Sequence, residues 1–160
     1  MLKYAGITLL SASIAVFGLI KSSEIKKALT IRKDVMGLLY AMENALQFGG
    51  KSKEGIFKSF NCRTNELKTF LSSMLDGQNE HESVKVHLCS LTDEDKKLLS
   101  DFFTNFGKST KRESELESLR HFNAEFERIG KQAEKEQLGK ILLYRKLGII
   151  IALLAAIIFI

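Results

Sequence analysis

Proline is absent from the 160 residues of this sequence, although average usage of about 5% would give roughly eight. Proline breaks helix interiors, so a chain without it can form long uninterrupted helices. Cysteine is also scarce: Cys62 and Cys89 are the two present, and they lack the close spacing of a metal or redox motif. We interpret them as reduced, mostly buried thiols and expect no cofactor.

The apolar residues are distributed unevenly along the chain. Residues 4–20 form a run of 17 without charge, and residues 147–160 form a run of 14 without a polar side chain. As helices these runs span about 26 Å and about 21 Å, against a hydrocarbon core of about 30 Å. A cleaved signal peptide is the competing interpretation of the first run, but no small-residue cleavage site follows it. We therefore predict a transmembrane anchor over 1–21, a helical domain over 22–144 and a transmembrane helix over 145–160.

The positive charge lies beside the apolar runs. Residues 21–33 and residues 128–146 each have a net charge of +4, whereas residues 34–127 contain 12 basic and 16 acidic residues, a net charge of −4. By the positive-inside rule the central domain is expected in the cytoplasm, with the basic residues at anionic headgroups. A nucleic-acid partner is not expected, because no basic cluster with interleaved aromatics is present. The candidate membrane-interface residues are Lys21, Lys26, Lys27, Lys140, Arg145 and Lys146.

Apolar residues three and four apart predict an all-α fold, a bundle of about six helices flanked by the two transmembrane helices. Residues 84–88 alternate like a strand, but an isolated strand would have no partner, so we predict a short helix there. A polar loop is expected over 77–81. The other predicted helices are 25–48, ended by Gly49 and Gly50; 53–60, capped by Ser52; 64–75; one that begins at Thr92 and stops at Gly107; and one that begins at Ser109 or Thr110.

Candidate catalytic and metal residues have simpler explanations. Three histidines, His81, His87 and His121, do not have the spacing of a standard metal site. Asp93, Glu94 and Asp95 follow Thr92 and fit the first turn of a helix, where acids favour the helix dipole. We therefore expect no enzyme activity.

Small residues recur every four positions in both apolar runs, at Ser11 and Ala15 and at Gly148, Ala152 and Ala156. This spacing lets transmembrane helices approach closely, either between the two anchors or between subunits of a homo-oligomer. Chance is an equal alternative, since small residues are common in membrane helices. Separately, the acidic centre, residues 34–127, is either a docking face or an ordinary solvated surface.

The order of these features resembles the stage III sporulation protein AB family over essentially the whole chain. The features are an anchor, a long helix ending in glycine, a helix of the Leu-Thr-x-x-Asp type, a Phe-Gly-x-Ser motif and a charged helix that enters a terminal apolar run. An aspartate is expected after the serine of the motif, where this chain has Thr110. The motif residues are Phe106, Gly107, Ser109, Tyr144, Leu147 and Gly148.

The resemblance implies a non-enzymatic platform component of the channel between mother cell and forespore, similar to half of a type II secretion or type IV pilus platform protein. It implies the cognate sporulation ATPase and other channel membrane proteins as partners, and the outer forespore membrane as the location. The alternative is a membrane-tethered sensor or regulatory adaptor, although a sensor usually has a larger extracytoplasmic part.

Overall fold

The computed structural model describes residues 2–49, 52–108 and 111–159. Within those ranges the chain forms six helices and no strand, which confirms the all-α prediction and the helical interpretation of the segment around Val84. The chain divides into two units, residues 1–27 with 132–160, and residues 28–131. The helices are α1 (Leu2–Phe48), α2 (Lys53–Ser59), α3 (Asn65–Leu75), α4 (Glu80–His87), α5 (Asp93–Asn105) and α6 (Arg112–Phe159).

The unit of residues 28–131 is a bundle whose consecutive helices run antiparallel. α2 returns along α1, so that the ring of Phe60 lies beside Gly37. The α2–α3 connection then meets Asp34 near the start of this part of α1. At the other end, Arg112 at the start of α6 contacts Leu46 near the end of α1. We call residues 28–131 the bundle.

The core of the bundle is rich in phenylalanine. Phe70, Phe103 and Phe126 are fully buried, and the ring centroids of Phe70 and Phe103 are 5.2 Å apart. Burial of one such side chain stabilises the fold by about 1.5–3 kcal/mol. The fully buried aliphatic side chains around them are Ile31, Val35, Leu38, Leu39, Met42, Leu67, Leu88, Leu99 and Leu119.

At one end of the bundle, three helices stop at glycines with positive φ. Gly49 follows α1 with φ 73°, Gly77 follows α3 with φ 76°, and Gly107 follows α5 with φ 89°. Side chains with a Cβ avoid this left-handed region, so glycine is the residue that closes these helix ends at least cost. We call this end, formed by residues 46–54, 75–80 and 105–115, the glycine end. Gly50, Ser109 and Thr110 lie outside the described residues.

At the opposite end, carboxylates from other helices hold the connections. Asp34 of α1 accepts hydrogen bonds from the backbone N–H of Arg63 at 3.0 Å and of Thr64 at 2.9 Å, and from the Thr64 hydroxyl at 2.7 Å. Glu66 of α3 accepts from the backbone N–H of Ser90 at 3.0 Å. We call this end, formed by residues 28–34, 60–66, 88–95 and 126–131, the carboxylate end.

One local prediction at a helix start needs correction. Residues 77–81 are not entirely a loop: α4 begins at Glu80, because the Asn79 side chain accepts from the backbone N–H of His81 at 2.9 Å and caps the helix. Thr64 precedes α3 but makes no capping bond with its side chain, since its hydroxyl donates to Asp34 instead. Ser52 and Thr92 cap α2 and α5 as predicted.

Candidate functional site

The unit that contains both chain ends is a pair of helical segments, 2–27 of α1 and 132–159 of α6. A Cβ added to Gly18 would lie 2.8 Å from the carbonyl oxygen of Tyr144 and 3.4 Å from the Cα of Gly148. The two backbones are therefore in direct contact at this point, and no larger residue fits there. The sequence analysis had named Gly148 as a packing residue but had missed its neighbour across the contact, Gly18.

Among the described side chains of this helix pair, Ile141 is buried but many of the other large apolar ones are exposed. Gly18, Ser22 and Gly148 are buried, whereas Phe17 is 60% exposed, Ile149 59% and Ile157 69%. A contiguous exposed apolar surface marks a site of interaction with lipid or protein. Across the positions that the structure describes, no helix has a stretch long and apolar enough to cross a membrane.

Several predicted residues of this unit can be placed only in part. Ser11, Ala15, Arg145, Ala152 and Ala156 lie on α1 and α6, but their side chains are outside the described part of the structure. Their packing role therefore stays a prediction. The other candidate residues of the segment are exposed or half-buried: Lys21, Lys26, Lys27, Lys140, Tyr144, Lys146 and Leu147.

One basic residue of the flank 21–33 is not available to headgroups. Arg32 is only 7% exposed, and its Nη1 lies 2.9 Å from Oδ2 of Asp95. The accessible flank is therefore four lysines against Glu24, a net charge of +3. Asp95 is more than a first-turn acid as well, since it is buried and pairs with α1.

Phe106 and Gly107 of the Phe-Gly-x-Ser motif lie at the end of α5. The backbone N–H of Gly107 donates to Oε1 of Glu115, one turn into α6. The Phe106 ring lies 5.2 Å from that of Phe102 in the core, so the motif residues Phe106 and Gly107 position α6. Ser109 lies outside the described residues.

Arg112, at the start of α6, caps the C-terminal end of α1. Its Nε donates to the carbonyl oxygen of Leu46 at 2.7 Å, and its Nη2 donates to the same oxygen. A cation at a helix C-terminus favours the helix dipole and satisfies a carbonyl that has no partner within the helix. The guanidinium also covers Gly49, where an added Cβ would lie 3.1 Å from Nη2.

The glycine end is also where the bundle offers a surface for another molecule. Phe48, the last residue of α1, is 77% exposed. An open cavity of about 380 Å³ lies between α2 and the α3–α4 turn, with Phe57, Met74 and Leu75 on its apolar side. Lys53 stands beside it, with its ammonium 5.9 Å from the ring centroid of Phe57. An exposed aromatic and a cavity at one end form a candidate docking surface.

The histidines and cysteines, for which no metal or redox role was predicted, all lie among the described residues. Among the described residues, no group of three or more histidines, cysteines and carboxylates is placed to hold a metal ion. Cys62 is partly buried and Cys89 exposed. Burial, and then the charge of Asp34, raise the pKa of the Cys62 thiol, which makes it a poorer nucleophile at neutral pH.

The carboxylate end contains the residues that sequence reasoning missed, and a signal for them existed. Arg32 lies among the core positions Ile31 and Val35 of α1, and Asp95 lies three and four residues before Leu98 and Leu99. A charged residue at a position whose helical neighbours are core residues indicates a buried, paired charge.

These features define a class, an all-α protein with a six-helix bundle and a terminal helix pair whose large apolar side chains face outward. The chain belongs to the stage III sporulation protein AB family, because the family model matches residues 3–160. Membership assigns the protein a role in sporulation. No curated protein and no solved structure matches the chain.

Proposed function

We propose that the protein is a non-enzymatic membrane platform in the sporulation channel, with its bundle in the mother-cell cytoplasm. The observation that carries the membrane part is the exposure of large apolar side chains on the terminal helix pair, where Phe17 and Ile149 are exposed and Gly18 and Gly148 are buried. In water this surface would be costly, at about 25 cal/mol per Å² of apolar area. Lipid acyl chains are the partner that removes this cost.

Two features of the full sequence support the same proposal. The runs at residues 4–20 and 147–160 have no charged side chain, and small residues at a crossing point are typical of helix pairs packed in lipid. The lysines that follow the first run favour a bundle on the cytoplasmic side.

The platform part of the proposal is that the bundle couples the sporulation ATPase to the membrane complex. Its support is the family membership, together with a bundle whose glycine end presents Phe48 and an open cavity to solvent. At the start of α5, the Asp95 carboxylate is the ion-pair partner of Arg32, and the Asp93 carboxylate lies 3.6 Å from Lys96.

A labelling experiment tests the orientation. The variant Q78C, in a chain with C62A and C89S, places one thiol in the exposed α3–α4 turn; Asn79 is unsuitable because it caps α4. In vegetative cells that carry the protein in the cell membrane, whose outer face is open to the reagent, an impermeant maleimide should not label Q78C before lysis and should label it afterwards. A cysteine at Leu2, expected outside the membrane, is the positive control, and strong labelling of Q78C in intact cells would refute the proposal.

Co-purification tests the platform role. Full-length protein in mild detergent is expected to co-elute with the ATPase of the same organism, and a chain with residues 28–131 replaced by a flexible linker is expected not to. If both proteins are folded and the full-length chain does not associate, ATPase coupling is wrong. In that case the alternative, a membrane-tethered regulatory adaptor, becomes the better hypothesis.

A further inference from the structure

Arg32 joins three helices inside the bundle. From α1, its Nη1 donates to Asp95 of α5 at 2.9 Å, and its Nη2 lies 3.4 Å from the carbonyl oxygen of Phe126 in α6. Its guanidinium carbon lies 4.8 Å from the centroid of the Phe126 ring, a cation–π distance. One side chain thus contacts α5 and α6 at the same level.

The path of Arg32 explains a glycine in the interior of α6. A Cβ added to Gly130 would lie 2.9 Å from the Nε of Arg32 and 3.7 Å from its Cδ. Because the guanidinium is held by Asp95, the side chain cannot move aside without breaking the ion pair. Glycine is otherwise unfavourable in a helix interior, so the close approach of Arg32 accounts for its presence.

The ion pair is incompletely satisfied. Arg32 Nε and Asp95 Oδ1 are buried and have no hydrogen-bond partner among the described residues. Desolvation of a buried pair often cancels its attraction, and an apolar replacement of similar volume is frequently as stable. Net stability is therefore a poor explanation for this arrangement. A buried polar group does, however, fix the register of packed helices, because a shifted packing would leave it unpaired.

We propose that Arg32, Asp95 and Gly130 form a charge lock that holds α1, α5 and α6 in a single axial register. Apolar packing is non-directional and tolerates slipped arrangements. With the charge lock, a slip of one helical turn, about 5.4 Å, would leave both charges buried without partners. The lock therefore makes movement of α1 or α6 along the bundle a two-state event.

The first test asks whether the effect of G130A on the unfolding equilibrium changes direction when Arg32 is removed. In full-length protein in detergent micelles, G37A is the control: its Cβ would lie 3.5 Å from Phe60, an ordinary contact, and it should shift the unfolding equilibrium about fivefold toward the folded state. G130A should shift it roughly tenfold toward the unfolded state. Combined with R32M, however, G130A should again favour the folded state. If G130A alone behaves like G37A, the lock does not exist.

The second test separates register from stability. D95N alone should shift the unfolding equilibrium on the order of a hundredfold toward the unfolded state, because the Arg32 cation is left buried without a counter-charge. The double variant R32M/D95L should restore the wild-type midpoint. Its amide hydrogens in residues 97–104, which follow the unpaired first turn of α5, should nevertheless exchange faster, as the register of α5 loosens. Wild-type protection of that segment in the double variant would overturn the proposal.

Discussion

At the glycine end of the bundle, three helices stop at glycines in the left-handed region, whereas at the carboxylate end the connections are held by side chains from distant helices. Gly49, Gly77 and Gly107 act within their own segments. Asp34 reaches a connection 30 residues away to bond Thr64, and Arg32 bonds a residue 63 positions along the chain. The first end is built from local backbone preference, and the second from tertiary contacts.

The difference bears on function. At the carboxylate end, Arg32, Asp34 and Asp95 are buried and hold the fold, whereas charges such as Asp93 and Arg128 are exposed. The glycine end leaves Phe48 exposed and an open cavity beside Lys53. We therefore expect substitutions at the carboxylate end to act on stability, and substitutions at the glycine end to act on stability weakly and on partner binding more directly.

The largest effect is expected for D34A. It removes a buried acceptor from two backbone N–H groups and one hydroxyl, and we expect unfolding free energy to fall by about 3 kcal/mol. Urea unfolding followed by circular dichroism measures this. D34N, which keeps one acceptor oxygen, should lose about half as much. Equal losses would mean that the charge of Asp34, rather than its hydrogen-bond geometry, holds the connection.

Substitutions of the terminal glycines should cost less. G77A has nothing within 4 Å of the added Cβ, so it reports the strain of the positive φ alone, about 1 kcal/mol. G49A adds a contact with Arg112 and should cost more, about 1.5–2 kcal/mol. G77N is the matched control, since asparagine tolerates this region. A G77A protein as stable as wild type would contradict the account of the glycine end.

Truncation of Arg112 should have a smaller effect. R112A removes an exposed cation from the carbonyl of Leu46, and we expect a loss of about 0.5–1 kcal/mol. Hydrogen exchange should localise the loosening to the last turn of α1. R112K keeps the charge but not the two-nitrogen contact, so its stability should lie between that of the wild type and that of R112A. Exchange that increases evenly over the whole bundle would argue against a local cap.

The smallest effect is expected for the exposed contacts between α1 and α6 around Glu127. Tyr40 donates to Glu127 at 3.0 Å, and Lys131 lies 2.7 Å from the same carboxylate. Hydrogen bonds from Lys131 and then from Tyr40 lower the pKa of Glu127 below its ordinary value of 4.5. A lowered folded-state pKa stabilises the fold above the unfolded-state value, and this contribution is lost as the pH falls through the lowered pKa.

Carboxyl NMR titration measures this pKa directly. K131Q should raise the pKa of Glu127 more than Y40F does, because the lysine makes the larger contribution. A Y40F effect that exceeded the K131Q effect would reverse this assignment.

Sequence reasoning succeeded where the signal was local. Ser52 and Thr92 were predicted as caps and serve as caps, and Gly49 and Gly107 end their helices as expected. It failed where a partner decides the role of a residue. Arg32 was counted with the basic flank although it is buried in an ion pair.

By itself, the sequence determined the all-α class, the sites of the helix stops and the membership of a sporulation family, because capping chemistry, helical periodicity and motif order are properties of neighbouring residues. Tertiary structure alone decided which charges are buried, which glycines admit a neighbour and where the two apolar segments touch. Gly18 and Gly148 are 130 positions apart, and only the packing of their helices brings the backbones into contact. The reason is physical: desolvation and close packing depend on all the elements around a residue, and no local pattern encodes them.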